Sequence, residues 1–253
     1  MGRLADKAAI ITGANGGIGQ VAVDLFAKEG ALIVASDIAP ASPELQKLID
    51  GHEGIVYVQG DVTDEEVAKG LVKTALDSFG KLDILYNNHG VMVGKPFLDT
   101  EMADFDHVVN GNLRSVFQLS LHAARAMAPR KSGSIIHMSS VGGTVGFPGM
   151  AAYGASKGGV AQLARSMATD LSEFNIRVNA ICPGVIDTPM PRRYIKDAGV
   201  DEEEAMGNMA GMHLLKRNGQ PHEVVWMAIY LAADESSFTT GAVIPVDGGL
   251  TAI

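Results

Sequence analysis

Tyr153 and Lys157 stand four residues apart in Tyr153-Gly154-Ala155-Ser156-Lys157, at the start of a stretch with helical spacing. Positions i and i+4 share one helix face. An ammonium beside a phenol favours the phenolate and draws its pKa down from the ordinary value of about 10. Acid–base groups work best when they titrate near ambient pH. The chemistry on offer is therefore proton exchange with a hydroxyl or carbonyl oxygen. Ser139 and Ser140 close an apolar run a short distance upstream and bring hydroxyls that can hold such an oxygen.

A second constellation lies near the start. Thr12-Gly13-Ala14-Asn15-Gly16-Gly17-Ile18-Gly19 follows an apolar run and opens a helical pattern. Glycine lets backbone approach a pyrophosphate closely, and a helix N-terminus offers free N–H groups and partial positive charge. The spacing is Gly-x3-Gly-x-Gly and not GxGxxG. Asp37 ends the next apolar run, 18 residues after Gly19. A carboxylate there can accept both ribose hydroxyls of an adenosine and repels a 2′-phosphate. No Lys or Arg lies between Ala31 and Gln46 to receive that phosphate, so NAD(H) is expected over NADP.

These groups need a scaffold that gathers them. Short apolar, β-branched runs occur at 8–11, 31–36, 55–59, 82–86, 134–138, 178–181 and 243–246. Helical patterns fill 18–29, 65–79, a long stretch of about 102–127, 151–174 and 223–232. Continuously apolar strands alternating with helices predict an α/β fold: a single Rossmann-like domain over 1–253, with a doubly wound sheet of about seven parallel strands. Ligands bind such sheets beyond the carboxyl ends of the strands, where the chemistry-bearing residues fall. The segment 189–217 is too long for a simple connection. Asp201-Glu202-Glu203-Glu204 reads as an N-cap and acidic first turn, with Met206, Met209 and Met212 at near-helical spacing. This segment is expected to be a helical lid over the substrate.

Taken together, the motifs resemble the short-chain dehydrogenase/reductase family, in its shorter branch, over essentially the whole chain. Its Thr-Gly-x3-Gly-x-Gly is matched by Thr12, Gly13, Gly17 and Gly19, and its Asn-Asn-Ala-Gly by Asn87, Asn88 and Gly90. Its Asn-Leu-x-x-x-Phe is matched by Asn112, Leu113 and Phe117, and its Ser…Tyr-x-x-x-Lys by Ser140, Tyr153 and Lys157. Pro183, Gly184 and Thr188 match Pro-Gly-x-x-x-Thr, and Asp247, Gly248 and Gly249 match the closing Asp-Gly-Gly. The resemblance implies that Tyr153 is the acid–base and that Ser140 holds and polarises the substrate oxygen. It implies that Lys157 binds the nicotinamide ribose and lowers the Tyr153 pKa, and that Asn112 holds a water linking Lys157 to solvent. Ser140 is preferred to Ser139, and Asn112 to Asn110, because each sits at the family spacing. Cofactor contacts are implied for Gly13, Asn15, Gly16, Gly17, Ile18, Gly19, Asp37, Asn88, Gly90, Pro183 and Gly184. Asp61 and Val62 would contact adenine, although Asp61 also suits a plain helix entry. Ile186 and Thr188 would hold the carboxamide.

Two positions depart from the pattern. His89 stands where the family usually carries alanine, and it either crowds the cofactor rim or packs into a pocket, with packing preferred. Gly111 before Asn112 loosens the helix locally, since glycine costs about 1 kcal/mol there.

Met92, Val141, Gly142, Phe147, Met150 and Met190 are expected to wall the substrate, an adaptable apolar surface suited to a secondary alcohol, cyclic ones included, or its ketone. Arg192 and Arg193 either clamp a carboxylate or phosphate or stand as solvated lid charges. The competing functions are an NADP-dependent 3-oxoacyl thioester reductase and a catalytically silent NAD-binding sensor or interaction protein.

Composition narrows the field further. The 253 residues are 47% hydrophobic and carry a formal net charge of −9, against nucleic acid and anionic membranes as partners. No apolar run approaches a membrane span, and the first residues lack the apolar stretch of a signal peptide, so a cytoplasmic location is expected. One cysteine, Cys182, excludes an intrachain disulfide. The histidines show no metal-ligand spacing, so no metal is expected. The family resemblance implies a homotetramer, with the uncharged end 249–253 suited to burial at an interface.

Overall fold

The computed structural model describes residues 2–252. The apolar runs become β1 (Ala8–Thr12), β2 (Leu32–Asp37), β3 (Ile55–Gln59), β4 (Ile84–Asn87), β5 (Gly133–Met138), β6 (Ile176–Pro183) and β7 (Val243–Val246). Among the described residues they form one seven-stranded sheet in the order β3-β2-β1-β4-β5-β6-β7. Every neighbouring pair is parallel. Parallel strands need crossover connections, and these cover both faces, which is why β1 is buried along its whole length.

The helices are α1 (Gly17–Lys28), α2 (Pro43–Gly51), α3 (Glu65–Phe79), α4 (Met102–Val109), α5 (Ser115–Met127), α6 (Ala151–Leu171), α7 (Pro189–Asp197), α8 (Glu202–Met212) and α9 (Pro221–Ala232). One face of the sheet packs Ile11, Ile33, Tyr86 and Ile136 against Phe26 of α1 and Val225 and Ile229 of α9. There the rings of Phe26 and Tyr86 stack with centroids 6.0 Å apart and planes 1° from parallel. The opposite face packs Ile10, Val34, Leu85 and Ile135 against Leu71 of α3, Leu119 of α5 and Ala164 of α6. Truncating a fully buried isoleucine in either layer to alanine costs about 2–5 kcal/mol.

Three features differ from the sequence expectation. The interval after β2 holds α2, unannounced by apolar periodicity. Its signal is local: Ser42 caps it by accepting from the Leu45 N–H at 3.2 Å, and Pro43 occupies its first turn. The stretch 102–127 is two helices joined by a π-helical turn, Asn110–Arg114, which contains Gly111 and Asn112. Such turns interrupt a helix to re-aim side chains, often at functional sites. The lid segment is also two helices, α7 and α8. Asp201 caps α8 by accepting from the Glu204 N–H at 2.9 Å. The uncharged C-terminal run ends on Ile253, outside the described residues, as is Met1. No helix among the described residues is long and apolar enough to cross a membrane.

β1 and β4 are neighbours although β2 and β3 lie between them in the chain. The connections leaving their carboxyl ends therefore diverge and open a crevice at this switch of strand order.

Candidate active site

A cleft of about 770 Å³ lies over the carboxyl ends of the strands. Gly13, Asn15, Gly16, Gly17 and Ile18 reach it from the β1–α1 turn, Asp37 from β2, and Asp61 and Val62 from the loop after β3. Asn88 and Gly90 follow β4, Ser140 follows β5, and Pro183, Gly184, Ile186 and Thr188 come from β6 and the loop beyond it. Tyr153 and Lys157 enter from the first turns of α6. Strand and helix ends separated by well over a hundred residues thus meet in one space.

The glycine turn has a steric basis. A Cβ on Gly19 would fall 1.9 Å from the carbonyl oxygen of Gly13, so any side chain there would break the turn. Gly19 lies under the turn, not on the cleft wall. Gly16 gives α1 no side-chain cap, which leaves the first helical N–H groups free for an anion. A Cβ on Gly90 would sit 3.1 Å from both Asn112 Oδ1 and Lys157 Nζ. Gly90 thus keeps open the space beside Lys157, the group expected at the nicotinamide ribose, and beside Asn112. Asp37 accepts from the Asn15 N–H at 3.0 Å and the Ala39 N–H at 3.2 Å, so its carboxylate is fixed at the cleft end where the adenosine ribose would lie. These residues fit a dinucleotide.

At the other end, the two serines separate cleanly. Ser139 is buried and donates to the Lys157 carbonyl at 2.8 Å, locking β5 to α6. Ser140 lines the cleft and accepts from the Gly142 N–H at 3.0 Å. Lys157 is buried, donates from Nζ to the Met138 carbonyl at 2.8 Å, and lies 5.9 Å from the centroid of the Tyr153 ring. Burial lowers its pKa to about 8. The Tyr153 phenol shifts in the direction opposite to the sequence expectation. Burial pushes it up, with Ser140 pulling the other way, because the cost of desolvating a phenolate dominates.

Asn112 does not line the cleft; it is fully buried behind Gly90. Its Oδ1 accepts from the Val91 N–H at 2.7 Å, and its amide donates to the Val91 carbonyl at 2.9 Å and to Ser156 Oγ at 3.0 Å. Both side-chain N–H groups are thereby committed within the protein, and a water would have to be held through a carbonyl oxygen.

Met92, Val141, Gly142, Phe147, Met150 and Met190 all line the cleft beside Tyr153. Arg193 does not. Met190, Pro191 and Tyr194 occupy the cleft side of α7, which turns Arg192 and Arg193 outward. The Arg193 side chain is 85% exposed, with its Nε 3.9 Å from Asp197, while Arg192 is held by Asp187 at 2.7 Å and by Glu202. The carboxylate-clamp expectation is corrected accordingly. Among the described residues, Lys157 is the one lysine or arginine on the cleft wall.

The sequence reading overlooked Tyr194. Its ring packs on Gly94, where a Cβ would fall 2.1 Å from Cε2, and it closes the wall between α7 and the loop after β4. Its signal was the spacing of four from Met190. Met209, Met212 and Leu250 complete the apolar wall. No cluster of His, Cys, Asp or Glu among the described residues is arranged to hold a metal.

Comparison with known proteins agrees with this geometry. A family model described as enoyl-(acyl carrier protein) reductase matches residues 13–251. The 3-oxoacyl-[acyl-carrier-protein] reductase FabG of Thermotoga maritima is 39% identical over 251 residues, covering 98% of this chain and 99% of its own. The cyclopentanol dehydrogenase of a Comamonas species is 38% identical over 262 residues, covering 100% of both. The crystal structure of levodione reductase superposes with a TM-score of 0.92 at 30% identity, covering 98% of each chain.

Proposed function

Because this chain belongs to the short-chain dehydrogenase/reductase family, and is thus an oxidoreductase using a nicotinamide cofactor, we propose that it interconverts secondary alcohols, cyclic ones included, and their ketones with NAD(H). One observation carries the reading: the substrate end is walled by Met, Phe and Val side chains with no arginine, while Asp37 holds a carboxylate at the adenosine end. An apolar wall favours an uncharged substrate. The likeness to a cyclopentanol dehydrogenase and to levodione reductase points the same way.

In the oxidative direction Tyr153 Oη, as phenolate, takes the proton from the substrate hydroxyl, and Ser140 Oγ holds the same oxygen. The bound nicotinamide supplies the hydride acceptor. The Lys157 ammonium would hold the ribose, the Ser140 hydroxyl pulls the Tyr153 phenol down against its burial, and Asn112 positions the groups behind Lys157. The glycine turn holds the pyrophosphate, Asp61 and Val62 the adenine, and Ile186 and Thr188 the carboxamide. We infer that the enzyme works in the cytoplasm, as a single-domain protomer of a homotetramer.

The likeness to FabG favours a second reading, reduction of 3-oxoacyl thioesters with NADP. The test is a turnover screen read by the absorbance of reduced nicotinamide. Secondary, cyclic and acidic alcohols and a 3-oxoacyl thioester are run with each cofactor, with Tyr153→Phe as the blank. NAD-linked oxidation of apolar alcohols is expected. Turnover confined to the thioester with NADP would replace the reading, and equal turnover by Tyr153→Phe would remove Tyr153 as the acid–base.

A further inference from the structure

His89 is the family departure that the reaction leaves unexplained. Its side chain is hydrogen-bonded at both ring nitrogens. Nδ1 lies 2.6 Å from Thr12 Oγ1, and Nε2 lies 2.9 Å from Ser115 Oγ. Thr12 closes β1 just before the glycine turn, and Ser115 opens α5 just after the π-helical turn. Ser115 Oγ is also 2.9 Å from the carbonyl of Gly111, the residue before Asn112.

The direction of these bonds follows from the number of protons. Ser115 has one hydroxyl proton, and the Gly111 carbonyl can only accept, so Ser115 donates there. Ser115 Oγ must then accept from His89, which puts the ring proton on Nε2. Nδ1 is left as an acceptor for the Thr12 hydroxyl. The opposite tautomer would send the Thr12 proton to the Tyr86 carbonyl at 3.4 Å and strand the Gly111 carbonyl contact. Both tautomers keep the two imidazole bonds; the Nε2–H form adds the 2.9 Å bond to the Gly111 carbonyl, and the opposite form adds only the 3.4 Å bond to the Tyr86 carbonyl. Burial pushes the His89 pKa down to about 3, so the ring stays neutral at working pH.

We propose that His89 is a positioning residue for catalysis, a neutral Nε2–H imidazole that strings Thr12, Ser115 and Gly111 into one directed chain and thereby sets the π-helical turn that presents Asn112. The two ends of the chain differ in their other support. At the Thr12 end, Asn88 independently donates its N–H to Thr12 Oγ1 at 3.1 Å and its amide to the carbonyls of Thr12 and Gly13, both at 3.2 Å. At the other end Asn112 is itself tied to Val91 and Ser156, but the Ser115 hydroxyl, which holds the Gly111 carbonyl one residue before Asn112, meets the β4 loop through the imidazole. Loss of His89 should therefore disturb the Asn112 side more than the glycine turn, and lower kcat more than it raises the cofactor KM.

The proposal rests on the dehydrogenase reading, and its experiment separates the two. The first arm needs no turnover: nitrogen NMR of ¹⁵N-histidine-labelled protein, with the His89 signals assigned by their loss in His89→Gln. A neutral ring with the proton on Nε2 is expected; a proton on Nδ1, or on both nitrogens at neutral pH, would overturn the chain. The second arm uses whichever alcohol the wild type oxidises. His89→Ala and Ser115→Ala should each lower kcat roughly tenfold or more, as misplacement near a reacting centre does. The double variant should fall no further than either single, and His89→Gln, whose amide can both accept and donate, should recover part of the loss. Unchanged kcat in His89→Ala, or losses that multiply in the double variant, would overturn the positioning role. A wild type inactive on every alcohol would count against the dehydrogenase reading and leave the tautomer result to decide the chain.

Discussion

Ser139 and Lys157 are tied in both directions: the Ser139 hydroxyl donates to the Lys157 carbonyl, and Lys157 Nζ donates to the carbonyl of Met138 next to Ser139, each at 2.8 Å. The pair fastens the end of β5 to the second turn of α6, and so fixes the distance between Ser140 and Tyr153. Adjacent serines thus divide the labour, one holding the scaffold and one facing the cleft.

That division predicts opposite phenotypes. Ser139→Ala loses a buried hydrogen bond and should cost about 1–3 kcal/mol of stability. Ser140→Ala should leave the melting temperature nearly unchanged and lower kcat at least about a hundredfold. Thermal melts and steady-state kinetics on both variants check this; a larger kcat loss in Ser139→Ala than in Ser140→Ala would reverse the assignment.

Asp37 governs the choice of cofactor in the proposed reaction. Asp37→Ala removes the carboxylate that would meet a 2′-phosphate, and also the acceptor of the Asn15 N–H. The ratio of kcat/KM with NAD to that with NADP should fall by roughly tenfold or more, equivalent to about 1.4 kcal/mol. Side-by-side kinetics measure the ratio, and an unchanged value would remove Asp37 from the discrimination.

Lys157 gives stability a pH dependence of known sign. Its folded pKa, about 8, lies below the ordinary 10.5, because burial disfavours the ammonium. The unfolded chain therefore binds more protons between these values, and the Lys157 contribution to stability rises with pH there. The penalty is full below about pH 8, where the shift corresponds to roughly 3 kcal/mol, and it fades toward pH 10.5. Lys157→Met removes the charge. Its stability relative to wild type should be greatest near neutrality and decline as pH rises through this window. Denaturant unfolding of both proteins across the range gives the slope, and a gap that widens with pH would contradict it.

The outward placement of Arg193 also has a consequence. Arg193→Ala should leave KM unchanged within about twofold for neutral and acidic alcohols alike, whereas Tyr194→Ala, which opens the wall against Gly94, should raise KM for a cyclic alcohol roughly tenfold. A selective KM increase for acidic alcohols in Arg193→Ala would restore the clamp.

Much of the site is legible in the chain because its motifs are local. Tyr153 and Lys157 share a helix face by spacing alone, and the turn from Gly13 to Gly19 is imposed by a backbone contact six residues long. The strands follow from apolar runs, because a parallel sheet is buried on both faces whatever the loops do. Only the tertiary structure assigned Ser139 to the scaffold, turned Arg193 to solvent, brought Tyr194 onto Gly94 and joined His89 to Thr12 and Ser115. The placements of Ser139, Tyr194 and His89 depend on partners 18 to 100 residues away in sequence. Local periodicity states which side chains can share an element's face; which partner they meet is decided when the elements pack, because hydrogen bonds and contacts are satisfied across the whole fold at once.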